Sequence, residues 1–74
     1  MIAEYKIKAY RCLAINLPFE IKSRDDKRWH WVNKIQKDAF GDIIFMHNDS
    51  VVRRLNPATE CRIKVLVNIR NAIQ

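Results

Sequence analysis

Side chains of the kind that catalyse reactions are few in this sequence. It has two histidines, His30 and His47. Such a pair could act as general acid and general base on RNA, assisted by Arg53, Arg54 or Tyr10. No Ser-His-Asp or Cys-His pattern accompanies them, and the single glycine of the chain excludes a glycine-rich loop that cradles phosphate. We therefore expect no catalytic residues and a protein that is not an enzyme.

The two cysteines, Cys12 and Cys61, lie far apart in the chain. They are too few for a disulfide framework, and neither they nor the histidines show the spacing of zinc ligands. Both fall among apolar residues, so we expect two buried, free thiols in a reducing compartment. The sequence predicts neither a metal site nor a cofactor.

The strongest compositional signal is a formal net charge of +6 at pH 7. Such a balance says nothing about fold, but it favours association with anions. Nucleic acid is the first partner that it suggests, and an acidic protein surface is the second. A solvated surface without a partner is the alternative to both.

One candidate binding surface is a line of cations between Ser23 and Gly41. Its members recur at i, i+3, i+7 and i+10 and would form a solvent-facing stripe on a helix: Lys27, His30, Lys34 and Lys37. Phosphates along a nucleic-acid backbone could follow such a stripe. Asp26 and Asp38 flank it and dilute its charge, so ordinary charge patterning is the alternative.

A second candidate surface is the polar face of a sheet. Its basic and aromatic members alternate with apolar residues along the first and last predicted strands: Lys6, Lys8, Tyr10, Arg62, Lys64 and Arg70. If these strands are neighbours, their open face combines positive charge with an aromatic ring, which suits phosphate contact and base stacking. Arg53 or Arg54 could extend it. The alternatives are a solvated face and a face buried in a homodimer.

Helical spacing gives the two tryptophans different roles. Trp31 falls on an apolar stripe with Val32 and Ile35, so we expect it in the core. Trp29 projects to the edge of that stripe, where it is either a residue at the edge of the core or an exposed aromatic ring available to a partner.

The elements that position these residues follow from hydrophobic periodicity. Alternation with period two predicts a strand from Tyr5 to Tyr10. Ser23 as the N-cap, acids in the first turn and Gly41 at the C-cap predict a helix from Arg24 to Ala39.

A hairpin and one contested segment complete the chain. Asn48-Asp49 suits a tight turn between strands Ile43–His47 and Ser50–Leu55. In the last segment, strict alternation through Cys61, Ile63, Val65, Val67 and Ile69 favours a strand that frays into a helical turn at residues 71–73. Asn56-Pro57, a good N-cap and N1 pair, supports a helix instead.

The predicted fold is a single α+β domain over residues 1–74. One helix packs on a four-stranded, mainly antiparallel sheet in a two-layer sandwich, in the order β-α-β-β-β. The runner-up, with a helix at the end, is β-α-β-β-α.

These features indicate a small, basic, non-catalytic binding module. A nucleic-acid-binding or regulatory accessory protein is the leading interpretation. The alternative is a protein-interaction module, such as an inhibitor or adaptor encoded by a phage or mobile element, that binds an acidic protein surface. The longest apolar run, Ile43–Met46, is far short of the ~20 residues of a membrane helix, so we expect a cytoplasmic protein with no membrane contact. The oligomeric state stays open.

Overall fold

The computed structural model describes residues 2–66, which form two antiparallel sheets. The strands, in chain order, are β1 (Ile2–Lys8), β2 (Phe19–Lys22), β3 (His30–Val32), β4 (Lys34–Lys37), β5 (Ile43–His47), β6 (Ser50–Leu55) and β7 (Glu60–Leu66). The first sheet has the order β1-β7-β2-β3, and the second has the order β4-β5-β6. A 3₁₀ helix, Ala9–Ala14, follows β1.

The chain passes from the first sheet to the second through a single residue, Asn33, between β3 and β4, and returns between β6 and β7. The backbone N–H of Asn33 donates to the Met46 carbonyl at 2.9 Å. Its side-chain amide exchanges two hydrogen bonds with Asn48, one to the Asn48 side chain at 2.9 Å and one from the Asn48 backbone at 3.1 Å. The crossing point is therefore held by the tip of the β5–β6 hairpin.

The core lies between the inner faces of the two sheets. Phe19 of the first sheet meets Phe45 of the second edge-on, with ring centroids 6.3 Å apart. The buried members are Ala9, Cys12, Phe19, Ile21, Val32, Ile43, Phe45, Cys61 and Ile63. Burial of a large apolar side chain contributes about 1.5–3 kcal/mol, so these contacts are the main force that holds the sheets together. The inner faces are thereby occupied, and the opposite face of the first sheet is left free.

The predicted hairpin is confirmed with its bounds. Asn48 and Asp49 have φ values of 49° and 68°, the left-handed backbone that a tight two-residue turn requires. A β-bulge near Phe45 and Met46 shifts the register of the two strands.

The predicted helix from Arg24 to Ala39 is wrong, and so is the fold of one helix on a four-stranded sheet. The Ser23–Asp26 segment closes a turn through Asp26 N–H to Ser23 O, at 3.1 Å, and the chain then enters β3 and β4. Residues 29–33 are aromatic, β-branched or asparagine, all of which lower helix propensity. The longest helix in the described residues is the 6-residue 3₁₀ helix.

The contested last segment is a strand over Glu60–Leu66, so the runner-up with a final helix is also wrong there. Asn56 caps a turn instead, since its side-chain oxygen accepts from Ala58 N–H at 2.9 Å. The predicted helical turn at residues 71–73 lies outside the described residues. Within residues 2–66, no helix is long and apolar enough to span a membrane.

Candidate nucleic-acid interface

Three cations from three strands form one row across the first sheet. Opposite residues of neighbouring antiparallel strands share a face, and the register places Arg62 opposite both Lys6 and Lys22. Because Cys61 and Ile63 are buried in the core, alternation turns Arg62 to the outer face, the side away from the second sheet. Strands are about 4.8 Å apart, so this basic row (Lys6, Arg62 and Lys22) spans roughly 10 Å.

Trp29 lies beside the basic row and makes cation–π contacts with two of its members, Lys22 and Arg62, and with Lys64. The ring centroid is 4.2 Å from Lys64 Nζ, 5.9 Å from Lys22 Nζ and 5.8 Å from Arg62 Cζ. Each such cation–π contact is worth about 0.5–1 kcal/mol at an exposed site. The half-buried indole therefore brings three positive charges together that would otherwise repel one another.

Two of the outer-face cations are in weak surface ion pairs. Lys6 Nζ is 3.3 Å from Glu60 Oε1, and Arg62 Nη1 is 3.6 Å from Glu4 Oε1. All four side chains are about half exposed or more, so each pair contributes at most about 1 kcal/mol. A more highly charged anion could replace these carboxylates.

Lys22 and Lys64 are less compensated. No carboxylate of the described residues lies within ion-pair distance of either amine. Glu4 and Glu20 occupy the strand positions on the two sides of Lys64, but neither forms an ion pair with it among residues 2–66. These two lysines are therefore available to an external anion.

A basic groove lies at one end of the outer face. It has a volume of about 710 Å³, and its charged lining consists of Lys6, Lys22, Arg24 and Arg62 with one carboxylate, Glu60. The hydroxyl residues Ser23 and Thr59 also line it. Charged and hydroxyl donors of this kind are those that contact phosphate oxygens.

An apolar hollow lies at the other end of the outer face. Its volume is about 390 Å³, and it is lined by Trp31, Leu17, Leu66, Ile2 and Pro18, with Lys64 and Glu20 on its side nearer the basic row. Trp31 is 54% exposed and Leu66 is 76% exposed. An aromatic ring is thus accessible to solvent within reach of the outer-face cations.

The predicted position of Trp31 is corrected by this arrangement. Trp31 was expected in the core, but β3 is a strand and Trp31 lies opposite Glu20 on the outer face. Trp29, for which the edge of the core and an exposed position were both open, has a half-buried ring among cations. Helical spacing failed here because the segment has the two-residue period of a strand.

The predicted line of cations does not exist. Lys27 lies in the β2–β3 loop, His30 lies in β3, and Lys34 and Lys37 lie in β4 of the second sheet. The four residues share a face only on a helix, and the chain is not helical there. Lys34 and Lys37 remain exposed but are separate from the basic row.

His30 and Arg53 belong to a buried ionic cluster. The Asp26 side chain is fully buried, forms an ion pair with Arg53, and its Oδ1 lies 3.8 Å from His30 Nε2. Its other oxygen, Oδ2, accepts from Ser23 N–H at 2.7 Å and from Ser23 Oγ at 2.9 Å. Arg54 pairs with Asp38 at 2.6 Å. Neither arginine extends the basic row, because Arg53 pairs with Asp26 of the β2–β3 loop and Arg54 pairs with Asp38 after β4.

The remaining predicted site residues divide between the outer face and other places. Lys6, Arg62 and Lys64 are brought together there as the sheet-face hypothesis required. Lys8 ends β1 opposite Glu60, whereas Tyr10 lies in the 3₁₀ helix beyond the strand. Arg70 lies outside the described residues.

Sequence reasoning missed Lys22, Arg24 and the exposure of Trp31. The signal for Lys22 was present, since Phe19 and Ile21 alternate with Glu20 and Lys22 as in a strand. Four residues are too few for this period to be distinguished from an irregular segment. Nothing in the sequence indicates that β2 pairs with β7.

The two cysteines are buried and free, as predicted. Cys12 Sγ lies 3.9 Å from Cys61 Sγ. The hydrogen bond to Cys61 and burial raise the pKa of the Cys12 thiol. Among residues 2–66, no group of three or more His, Cys, Asp or Glu side chains could hold a metal ion.

Comparisons of the chain with family models, curated proteins and solved structures gave no match. Its function is therefore inferred from the chemistry of the outer face.

Proposed function

We propose that this protein is a non-catalytic nucleic-acid-binding module that uses the outer face of its first sheet. The basic row carries the proposal, because three strands place Lys6, Arg62 and Lys22 within one short line. Backbone phosphates are the regularly repeated anions that such a line can neutralise. Lys64, held over the Trp29 ring, adds a further contact beside the row.

The aromatic residues favour nucleic acid over an acidic protein surface. Cations alone are enough to attract an acidic protein surface. The outer face also presents the exposed Trp31 beside Lys64, and paired cations and aromatic rings are the combination that nucleic-acid-binding sheets use. A cytoplasmic location accords with two free, buried thiols.

The first test compares two double variants that remove equal charge. Lys22→Gln with Lys64→Gln changes the outer face, and Lys34→Gln with Lys37→Gln changes the second sheet. Fluorescence anisotropy should show that the first pair weakens binding to a labelled oligonucleotide at least tenfold, whereas the second pair has little effect. The loss should be accompanied by a smaller dependence of affinity on salt, because fewer counterions are released.

Three results would contradict the proposal. Equal loss in both pairs would indicate binding through net charge alone, and loss only in the second pair would place the interface on the other sheet. Absence of salt-sensitive binding to single- and double-stranded DNA and RNA would exclude nucleic acid. An acidic protein partner would then be the leading interpretation.

A further inference from the structure

The apolar hollow suits a different chemical group from the phosphates that suit the basic row. A phosphate has no favourable contact with Trp31, Leu66 or Leu17, which line the hollow. Covering exposed apolar surface of this kind lowers the free energy of the complex when the group that covers it is flat or apolar. Its volume of about 390 Å³ is in the range of pockets that hold small organic groups.

The hollow and the basic groove lie at opposite ends of one face. In β7, Arg62 lines the groove and Leu66 lines the hollow, and four residues of strand cover about 13 Å. Lys64 lies between them, opposite Glu20. A ligand that fills both therefore has an anionic part and a flat apolar part connected over a short distance.

Single-stranded nucleic acid has this composition, and duplex does not present it. In a duplex, the faces of the bases are covered by their neighbours and only their edges can be contacted. In a single strand, a base can turn out and stack on an aromatic ring while its phosphates stay with the cations. Glu20 and Asn16 at the hollow offer hydrogen-bond groups to the edge of such a base.

We propose that the outer face binds single-stranded nucleic acid, with a base stacked on Trp31 in the apolar hollow and phosphates in the basic groove. This inference rests on the proposed function, since it presupposes that the outer face binds nucleic acid. It adds the strand state of the ligand and assigns Trp31 as the stacking residue.

The experiment compares three ligands of equal length and label: a single-stranded oligonucleotide, its duplex, and an abasic strand that keeps the phosphates. The single strand should bind at least tenfold more tightly than the other two, because they offer no base face. Trp31→Ala should reduce its affinity about tenfold, to the level of the abasic strand, and leave abasic binding unchanged.

Two further variants test the role of the ring. Trp31→Phe keeps an aromatic surface and should retain most of the affinity. Phe40→Ala removes another exposed aromatic side chain, 89% exposed in the turn before β5, and should have no effect. Thermal melting of each variant checks that the fold is retained. If Trp31→Ala is unstable, the comparison of the single strand with the abasic strand on the unchanged protein stays decisive, and equal affinity for the two would overturn the inference.

The outcomes separate this inference from the proposed function. Equal or tighter binding of duplex, or an unchanged affinity in Trp31→Ala, would overturn the single-strand inference and leave nucleic-acid binding in place. Failure of every nucleic acid to bind would overturn both. Sedimentation that shows a dimer converted to a monomer by Trp31→Ala would assign the hollow to a second copy of the chain and would also overturn the inference.

Discussion

At the scale of single residues, Asp26 is the side chain with the most demanding environment. It lies in the loop between β2 and β3 of the first sheet, and its ion-pair partner Arg53 lies in β6 of the second. A fully buried carboxylate loses its hydration and must recover that free energy from its partners. Here the partners are Arg53 and the two donors of Ser23. The cluster thereby fixes one sheet relative to the other.

Asp26→Asn should lower the stability of the fold. The substitution removes the negative charge and leaves the Arg53 guanidinium, 37% exposed, without its ionic partner. We expect the free energy of unfolding to fall by about 2–3 kcal/mol, near the lower end for broken buried pairs because Arg53 retains contact with water. Chemical denaturation measures this change. Asp25→Asn, at the exposed neighbouring position, is the control and should change stability by less than about 0.5 kcal/mol.

The two thiols should be slow to react in the folded protein. Cys12 and Cys61 are almost inaccessible, and the raised pKa of Cys12 keeps it in the unreactive thiol form at neutral pH. A chromogenic disulfide reagent should therefore label neither cysteine rapidly until denaturant is added, after which both should react. Rapid labelling of the native protein, or the mass of a disulfide after purification under reducing conditions, would contradict burial as free thiols.

At the scale of elements, the turns account for both the success and the failure of sequence-based prediction. Asn48-Asp49 specified a hairpin because these residues tolerate positive φ and flank two clearly apolar strands. Ser23-Asp26 and Asn56-Pro57 also form the local hydrogen bonds of a helix N-terminus. Neither is followed by a helix, because the same bonds close a turn at lower conformational cost. A cap motif therefore predicts a turn, and the residues after it decide whether a helix follows.

The hairpin turn offers a stabilising substitution. Asp49 has a φ of 68°, which an L-residue adopts at a steric cost that glycine avoids. Asp49→Gly should stabilise the protein by about 0.5–1 kcal/mol, which corresponds to a rise of roughly 2–8 °C in Tm for a domain of this size. Differential scanning fluorimetry measures the shift. Asp25→Gly, at an exposed position outside the hairpin, should not raise Tm, and a fall in Tm for Asp49→Gly would show that the Asp49 side chain stabilises the turn.

At the scale of the whole molecule, the cations of the two sheets differ in how far carboxylates neutralise them. On the second sheet, Arg53 and Arg54 are neutralised by Asp26 and Asp38. On the outer face, Lys22 and Lys64 have no such partner in residues 2–66. Net charge in the sequence indicated an anionic partner, but it could not indicate which cations are already compensated. That distinction depends on pairings between residues far apart in the chain.

The same limit applies to the candidate site. Alternation along single strands predicts that Lys6, Arg62 and Lys64 share one polar face. It cannot show that Lys22 joins them or that Trp29 contacts Lys22, Arg62 and Lys64, because both depend on β2 lying beside β7. The short strands β2 and β3 leave too little periodicity to predict that neighbour relation.

The order of strands in the first sheet determines when the candidate site can assemble during synthesis of the chain. β7 is the only described strand that pairs with β1, and it also pairs with β2. Because β7 is translated after every other described strand, the first sheet lacks two of its three strand pairings until then. Until then, Arg62 does not lie between Lys6 and Lys22, and the basic row is incomplete. A nascent chain on the ribosome, surrounded by RNA, therefore does not carry the assembled outer face, and the nucleic-acid binding that we propose would become possible only as folding is completed.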